Sequence, residues 1–195
     1  MKLITIRGLI MSAFFAALLV VFSFAKITLG FTPVPITLQT LAVMLAGACL
    51  GPIYGFISMA LVIVLTAAGL PLIGGVGGMS KLLGATGGYI WMWPFSALLI
   101  GYVLNRVKGT SLKTYAMVFL ASAVFGSLLV YASGVPWLAH VAKISLSKAM
   151  ITGFYPYLAG DAIKAVITAL IAVPIRVVYS PQRLIAGHQA EIVKL

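Results

Sequence analysis

Residues 150–178 read MITGFYPYLAGDAIKAVITALIAVPIRVV. An apolar run of this length is enough to cross a bilayer, which takes about 20 residues at 1.5 Å each. Inside it sits Gly160-Asp161-Ala162-Ile163-Lys164, with no further charge until Arg176. Placing an Asp and a Lys at membrane depth costs roughly 2.5–3.5 kcal/mol each on insertion scales. Residues three apart on a helix share a face, so the two reach each other or one small ligand. Such a pair needs a structural or a functional reason. The structural one is an internal ion pair that orients helices; the functional one is a ligand site.

Composition sets the class around this stretch. Of the 195 residues, 63% are hydrophobic and 8% charged, against about 45–50% and about 25% in soluble domains. The chain reads as an all-α, polytopic integral membrane protein forming one membrane domain over residues 1–195, its length leaving no room for a second, soluble domain of ordinary size beside the apolar runs. Its net charge of +11 comes from single basic residues at the ends of apolar runs, which fits the positive-inside rule better than nucleic-acid binding. The lone Cys49 lies in an apolar run and reads as a small buried hydrophobe. Lys2 and Arg7 before an apolar stretch resemble a secretory signal, but the stretch is too long for a signal core and no small-residue cleavage pattern follows. It is read as a retained first span.

Six spans follow: residues 8–29, 36–50, 54–70, 88–104, 114–133 and 150–178. Lys26 ends the first and can snorkel to the interface. The second is short, opens with Thr37, Gln39 and Thr40, and ends at Gly51-Pro52; it reads as a short helix or a partly re-entrant one. A glycine-rich loop, Gly74-Gly75-Val76-Gly77-Gly78-Met79-Ser80-Lys81 and on to Gly84-Ala85-Thr86-Gly87-Gly88-Tyr89, precedes the fourth. It lacks the G-x-x-x-x-G-K-[ST] spacing of a phosphate loop. Trp91 and Trp93 are read as interface anchors. Gly134-Val135-Pro136-Trp137 is expected to end the fifth span, with an interfacial segment to Lys148. The sixth can bend at Pro156 or Pro174.

An even number of spans puts both ends on one side. Lys2, Arg7, Arg106, Lys108, Lys113, Arg176, Arg183 and Lys194 fall there, against Lys26, Lys81, Lys143 and Lys148 opposite. Eight against four supports N-in, C-in. Counted from the outer end of the sixth run, Asp161 and Lys164 then lie about 16–21 Å deep by the helical rise.

The residues allow little catalysis. The histidines, His140 and His188, fall in a loop and the tail; there is one intramembrane carboxylate and no H-E-x-x-H, so no catalytic or metal site is expected. A proton-coupled carrier using Asp161 is one alternative. A binding protein is another: a carboxylate takes ligand N–H groups, an ammonium takes a carbonyl, and apolar walls cover the rest.

Phe31-Thr32-Pro33-Val34-Pro35-Ile36-Thr37-Leu38-Gln39-Thr40, Leu45-Ala46-Gly47 with Gly51-Pro52-Ile53-Tyr54-Gly55, Gly69-Leu70-Pro71, Gly84-Ala85-Thr86-Gly87-Gly88-Tyr89 and Gly160-Asp161-Ala162-Ile163-Lys164 together resemble the BioY family. These are the biotin-specific substrate-binding subunits, or S components, of energy-coupling-factor (ECF) transporters. The likeness runs the length of the chain; Ala85 departs from it, standing where the family often has proline. It implies a six-helix protein of a prokaryotic plasma membrane that binds biotin near the outer face without any cofactor or metal. Asp161 and Lys164 would meet the ureido ring. Tyr89, Gly88, Gly87, Gln39 and Thr37 would contribute to the pocket, beneath a lid of Phe31, Pro33 and Pro35. Lys81, Lys143 or Lys148 would pair with the valerate carboxylate. Ala13 and Ala17, a small-xxx-small pair, would dock a membrane coupling subunit, and two ATPase subunits would supply energy. An S component for another small vitamin is the other reading of the same pattern.

Overall fold

A computed structural model describes residues 4–181. Lys2, Arg183, His188 and Lys194 lie outside them.

The first helix, α1 (Ile6–Phe24), is capped by Thr5, whose hydroxyl accepts from the Gly8 amide at 3.1 Å. It ends at Phe24, short of the expected Leu29, because the chain turns into a strand, β1 (Lys26–Ile27), paired antiparallel with β2 (Ile36–Thr37). Lys26 therefore stands on a small hairpin and not at a helix end. The tip of the hairpin is the Pro-Val-Pro loop.

Next comes α2 (Gln39–Ala67), helical throughout apart from Gly51, whose φ of 78° is left-handed. A Cβ added at Gly55 would meet the Gly47 Cα at 3.1 Å. Residues eight apart on one straight helix are separated by about 12 Å, so the chain reverses at Gly51-Pro52. The two arms, 39–50 and 52–67, pack as a hairpin through their glycines. That settles the reading left open for the second run: it is a short helix whose partner returns beside it. Residues 41–51 are buried on every side, the pattern of a helix at the centre of a bundle.

Beyond a loop that includes the short helix α3 (Met79–Leu83), α4 (Gly87–Leu104) packs on α2. A Cβ on Gly101 would strike the Gly51 carbonyl carbon at 2.3 Å, which is how closely α4 seats against the reversal. Gly78 enters α3 at φ 84°, a conformation open mainly to glycine. Its amide donates to the Thr66 carbonyl at 2.7 Å and ties the loop to the end of α2.

The fifth rod is longer than expected. α5 (Leu112–Ala123) passes through a π-helical turn, Val124–Leu128, into α6 (Leu129–Ala142), and Pro136 lies within the helix. Gly134-Val135-Pro136-Trp137 does not end it; termination comes at Lys143, with φ 52°. Membrane helices tolerate an internal proline where neighbouring groups satisfy the freed backbone.

Residues 150–178 are not one rod. α7 (Leu146–Gly153) stops, Tyr155–Tyr157 forms a 3₁₀ turn around Pro156, and α8 (Leu158–Val178) starts afresh. Asp161 and Lys164 consequently sit only about 5 and 9 Å along α8 by the helical rise, not 16–21 Å into a longer helix. Asp161 is in the first turn, where the positive end of the helix dipole favours a carboxylate.

Five segments are long and apolar enough to cross a membrane: 6–24, 39–67, 87–104, 112–142 and 146–178. With α2 doubled back, the described residues form six rods. Chain reversals alternate between two ends of the bundle. At one end the Thr5 amide donates to the Tyr54 hydroxyl at 2.7 Å, a Cβ on Gly51 would touch Pro181, and Arg176 donates to the Ala48 and Leu104 carbonyls at 2.5 and 2.6 Å. The first and last described residues thus share an end. The hairpin, α3, α7 and the start of α8 occupy the other.

Candidate functional site

At that second end a cavity opens among the helix starts. It encloses about 620 Å³ of space, its solvent-filled mouth included, and its walls are mostly apolar. Part of the lining, Ile73, Ile90 and Trp93, belongs to one packed cluster, and another part, Val34, Tyr89, Val130, Tyr131 and Tyr157, to a second. Asp161, Lys164, Thr40, Thr37, Gln39 and Lys81 supply its polar groups.

The pair expected from the sequence is formed. Lys164 Nζ lies 2.8 Å from Asp161 Oδ1, and both residues are buried. Thr40, on the first turn of α2, joins them: it accepts from Lys164 Nζ at 2.9 Å and donates to Asp161 Oδ1 at 3.2 Å. Tyr131 of α6 donates to the other oxygen, Oδ2. A carboxylate has about four acceptor positions and an ammonium three donors. Among the described residues, three of Asp161's positions and two of Lys164's donors are engaged, which leaves one acceptor position on Oδ2 and one donor on Nζ. A neutral group with N–H next to C=O can take both.

Thr37 and Gln39 line the cavity, the Thr37 hydroxyl donating to Gln39 Oε1 at 2.9 Å. Tyr89 lines it too, held by a hydrogen bond from its hydroxyl to the Gly153 carbonyl at 3.0 Å. Gly134 makes room for that ring, since a Cβ there would lie 2.3 Å from it.

Other expectations are redistributed. Gly87 and Gly88 do not face the cavity: they let α4 close on its neighbours, a Cβ on Gly88 meeting the Trp137 Cβ at 2.3 Å. Of the lid loop, Pro35 and Val34 face inward, whereas Phe31 is 61% exposed and Pro33 borders a separate outer groove with Lys81 and Thr86. The loop is latched from below, Tyr157 donating to the Val34 carbonyl at 2.5 Å. Trp93 is no interface anchor; it is buried and lines the cavity, while Trp91 is partly exposed. Lys143 and Lys148 are exposed and absent from the lining, whereas Lys81 is part of it. Burial, with Lys26 nearby, holds the Lys81 ammonium below the usual lysine value. Ala13 and Ala17 lie on the exposed face of α1, opposite its buried Ser12, Ala16 and Leu19. Cys49 is buried, as expected.

Sequence reasoning missed Tyr131, Tyr157, Trp93 and Gly134 as parts of the site. A tyrosine or tryptophan within an apolar run gives no sign of which neighbour it will meet.

The BioY family model matches residues 1–180. The chain belongs to the BioY family. Among similar proteins are the "Biotin transporter BioY" of Rhizobium etli, 39% identical over 89% of this chain and 95% of the relative, and that of Lactococcus lactis, 37% identical over 85% and 88%. The counterpart in Thermotoga maritima is 37% identical over 87% and 96%. A crystal structure of the S component for biotin from an ECF-type ABC transporter superposes with a TM-score of 0.81 at 36% identity, covering 88% of this chain and 91% of that one. This BioY-family chain thus has a known membrane fold around a cavity that Asp161 and Lys164 line.

Proposed function

We propose that this chain is the biotin-binding S component of an ECF-type transporter and has no catalytic activity of its own. The observation that carries the reading is the one acceptor and one donor that the described residues leave unengaged at Asp161 and Lys164, beside Thr40 and Tyr131, in an apolar cavity. A ureido ring offers N–H and C=O in that arrangement, and the bicyclic and alkyl parts of biotin suit the apolar walls. The names of the relatives support the same ligand.

Biotin enters from the outer face, under the hairpin loop that Tyr157 holds. The end of the bundle with Arg7, Arg106, Lys108, Lys113 and Arg176 faces the cytoplasm under the positive-inside rule; Lys2, Arg183 and Lys194 belong to the same count but lie outside the described residues. Ala13 and Ala17 dock a membrane coupling subunit, and two ATPase subunits provide the energy. A stand-alone proton carrier is disfavoured because the carboxylate it would use is already neutralised by Lys164. Calorimetric titration of the detergent-purified full chain with biotin and a panel of other small vitamins tests the assignment. Tight binding of biotin alone is expected. Preference for another vitamin would overturn it.

A further inference from the structure

The opposite end of the bundle holds another cavity, which the biotin reading does not use. It encloses about 1000 Å³, its open mouth included, where the end of α4, the loop into α5 and the last turns of α8 come together. Val173, Arg176 and Val177 line it from α8, and their spacing of three and four puts them on one face of that helix. Lys108 lines it from the loop and Thr114 from α5.

The two cations of this cavity are held in place and lack an anion. Arg176, in the last turn of α8, donates to the carbonyls of Ala48, Leu104 and Val107 at 2.5, 2.6 and 3.2 Å. The carbonyl of the next residue, Lys108, accepts from the Thr114 hydroxyl at 3.1 Å. Arg176 is thus tied to the backbone beside Lys108. Carbonyls satisfy a guanidinium's N–H groups without cancelling its charge, and of its five donors two have no partner among the described residues. Asp161 is the one acid among the described residues, and Lys164 already pairs with it at the other end.

The surroundings favour one kind of anion. Tyr102, in the last turn of α4, and Tyr179, just beyond α8, are both exposed near the cavity, and tyrosines in such places mark the headgroup level of a bilayer. Val177 is exposed beside Arg176, while Val173, a turn farther into the bundle, is buried. The cations therefore sit at headgroup depth with apolar surface next to them. Basic pockets between membrane helices at that depth suit anionic headgroups.

We propose that this cavity seats the phosphate of an anionic membrane lipid, Arg176 and Lys108 pairing with its charge while an acyl chain lies along Val177. The lipid ties α4, α5 and α8 together at this end and, by binding the native state alone, stabilises it. The seat is independent of the biotin site.

The test follows the melting of the detergent-purified full chain by tryptophan fluorescence, at matched ionic strength, with dioctanoylphosphatidylglycerol, dioctanoylphosphatidylcholine or inorganic phosphate added. The anionic lipid should raise the melting temperature, the zwitterionic lipid should do so far less, and phosphate should leave it unchanged. Lys108→Gln should raise the concentration of anionic lipid needed for half the shift about fivefold, as expected for one cation at a lipid surface. Lys113→Gln, exposed and outside the lining, should not change it. Arg176→Lys keeps the charge but not the three-carbonyl clamp, so it should melt lower and still prefer the anionic lipid. Equal shifts from the two lipids would overturn the proposal and leave these cations to an acidic protein partner. Equal losses from Lys108→Gln and Lys113→Gln would overturn it in favour of diffuse surface charge. A phosphate effect equal to that of the anionic lipid would overturn the lipid as the source of the anion.

Discussion

Lys164 and Tyr131 hold opposite oxygens of one carboxylate: the ammonium sits 2.8 Å from Asp161 Oδ1 and the phenol donates to Oδ2. Lys164 shares α8 with Asp161, whereas Tyr131 reaches it from α6 and Thr40 from α2. The ion pair therefore joins three rods, which is a structural reason for a charged pair at this depth. Removing a single partner from such a buried pair costs far more than the pair contributes, because a charge is left uncompensated.

Tyr131→Phe removes one hydrogen bond to the carboxylate and little volume. Hydrogen bonds to charged groups contribute about 1.5–3 kcal/mol, so biotin affinity should fall roughly 10- to 150-fold. Calorimetry on protein that still elutes as a single gel-filtration peak checks this. Unchanged affinity would remove Tyr131 from the site.

Tyr157→Phe cuts the latch to the Val34 carbonyl without disturbing the Asp161 pole. Biotin should leave faster, by about tenfold for a bond of about 1.4 kcal/mol, with a smaller change in association rate. Stopped-flow chase with labelled biotin measures both. A change confined to association would mean that the loop is not a lid.

Gly134→Ala would push a methyl to within 2.3 Å of the Tyr89 ring. Overpacking of this kind costs typically about 1–3 kcal/mol, so the melting temperature should drop and binding should weaken with it. Gly30→Ala, where a Cβ meets nothing within 4 Å, should be neutral. Equal melting temperatures for the two variants would contradict the packing described at Tyr89.

Ala13→Leu combined with Ala17→Leu adds bulk to the exposed face of α1, away from the cavity. Biotin binding should be unchanged and co-purification with a coupling subunit lost. Intact assembly in a pull-down would sink the docking role.

Much of this was legible before any coordinates. The membrane class, the rods, the paired Asp161 and Lys164 and the glycine-rich loop follow from hydropathy, charge and spacing, because burial in a bilayer leaves so few options for backbone and charge. Element ends were less legible. Pro136 stays inside a helix and Pro156 breaks one, and that choice depends on which neighbours satisfy the freed carbonyls. The partners of the pair were hidden for a related reason. Thr40 was noticed only as a polar residue opening a run, and Tyr131 read as one more aromatic, until the α2 reversal at Gly51 and the restart of α8 at Leu158 brought them to the same carboxylate. Gly87 and Gly88 show the converse: their place beside a binding loop suggested a ligand contact, but the Trp137 side chain occupies the space next to them.

The central claim is that Asp161 and Lys164 together read the neutral polar head of biotin. Calorimetric titration of wild type and Asp161→Asn with biotin tests it most directly. Asn keeps the size and one acceptor but replaces the carboxylate's charge with an amide. The account predicts a variant that remains folded, by gel filtration and circular dichroism, and binds biotin about 30- to 150-fold more weakly, equivalent to about 2–3 kcal/mol. A folded Asp161→Asn protein with wild-type affinity for biotin would contradict it.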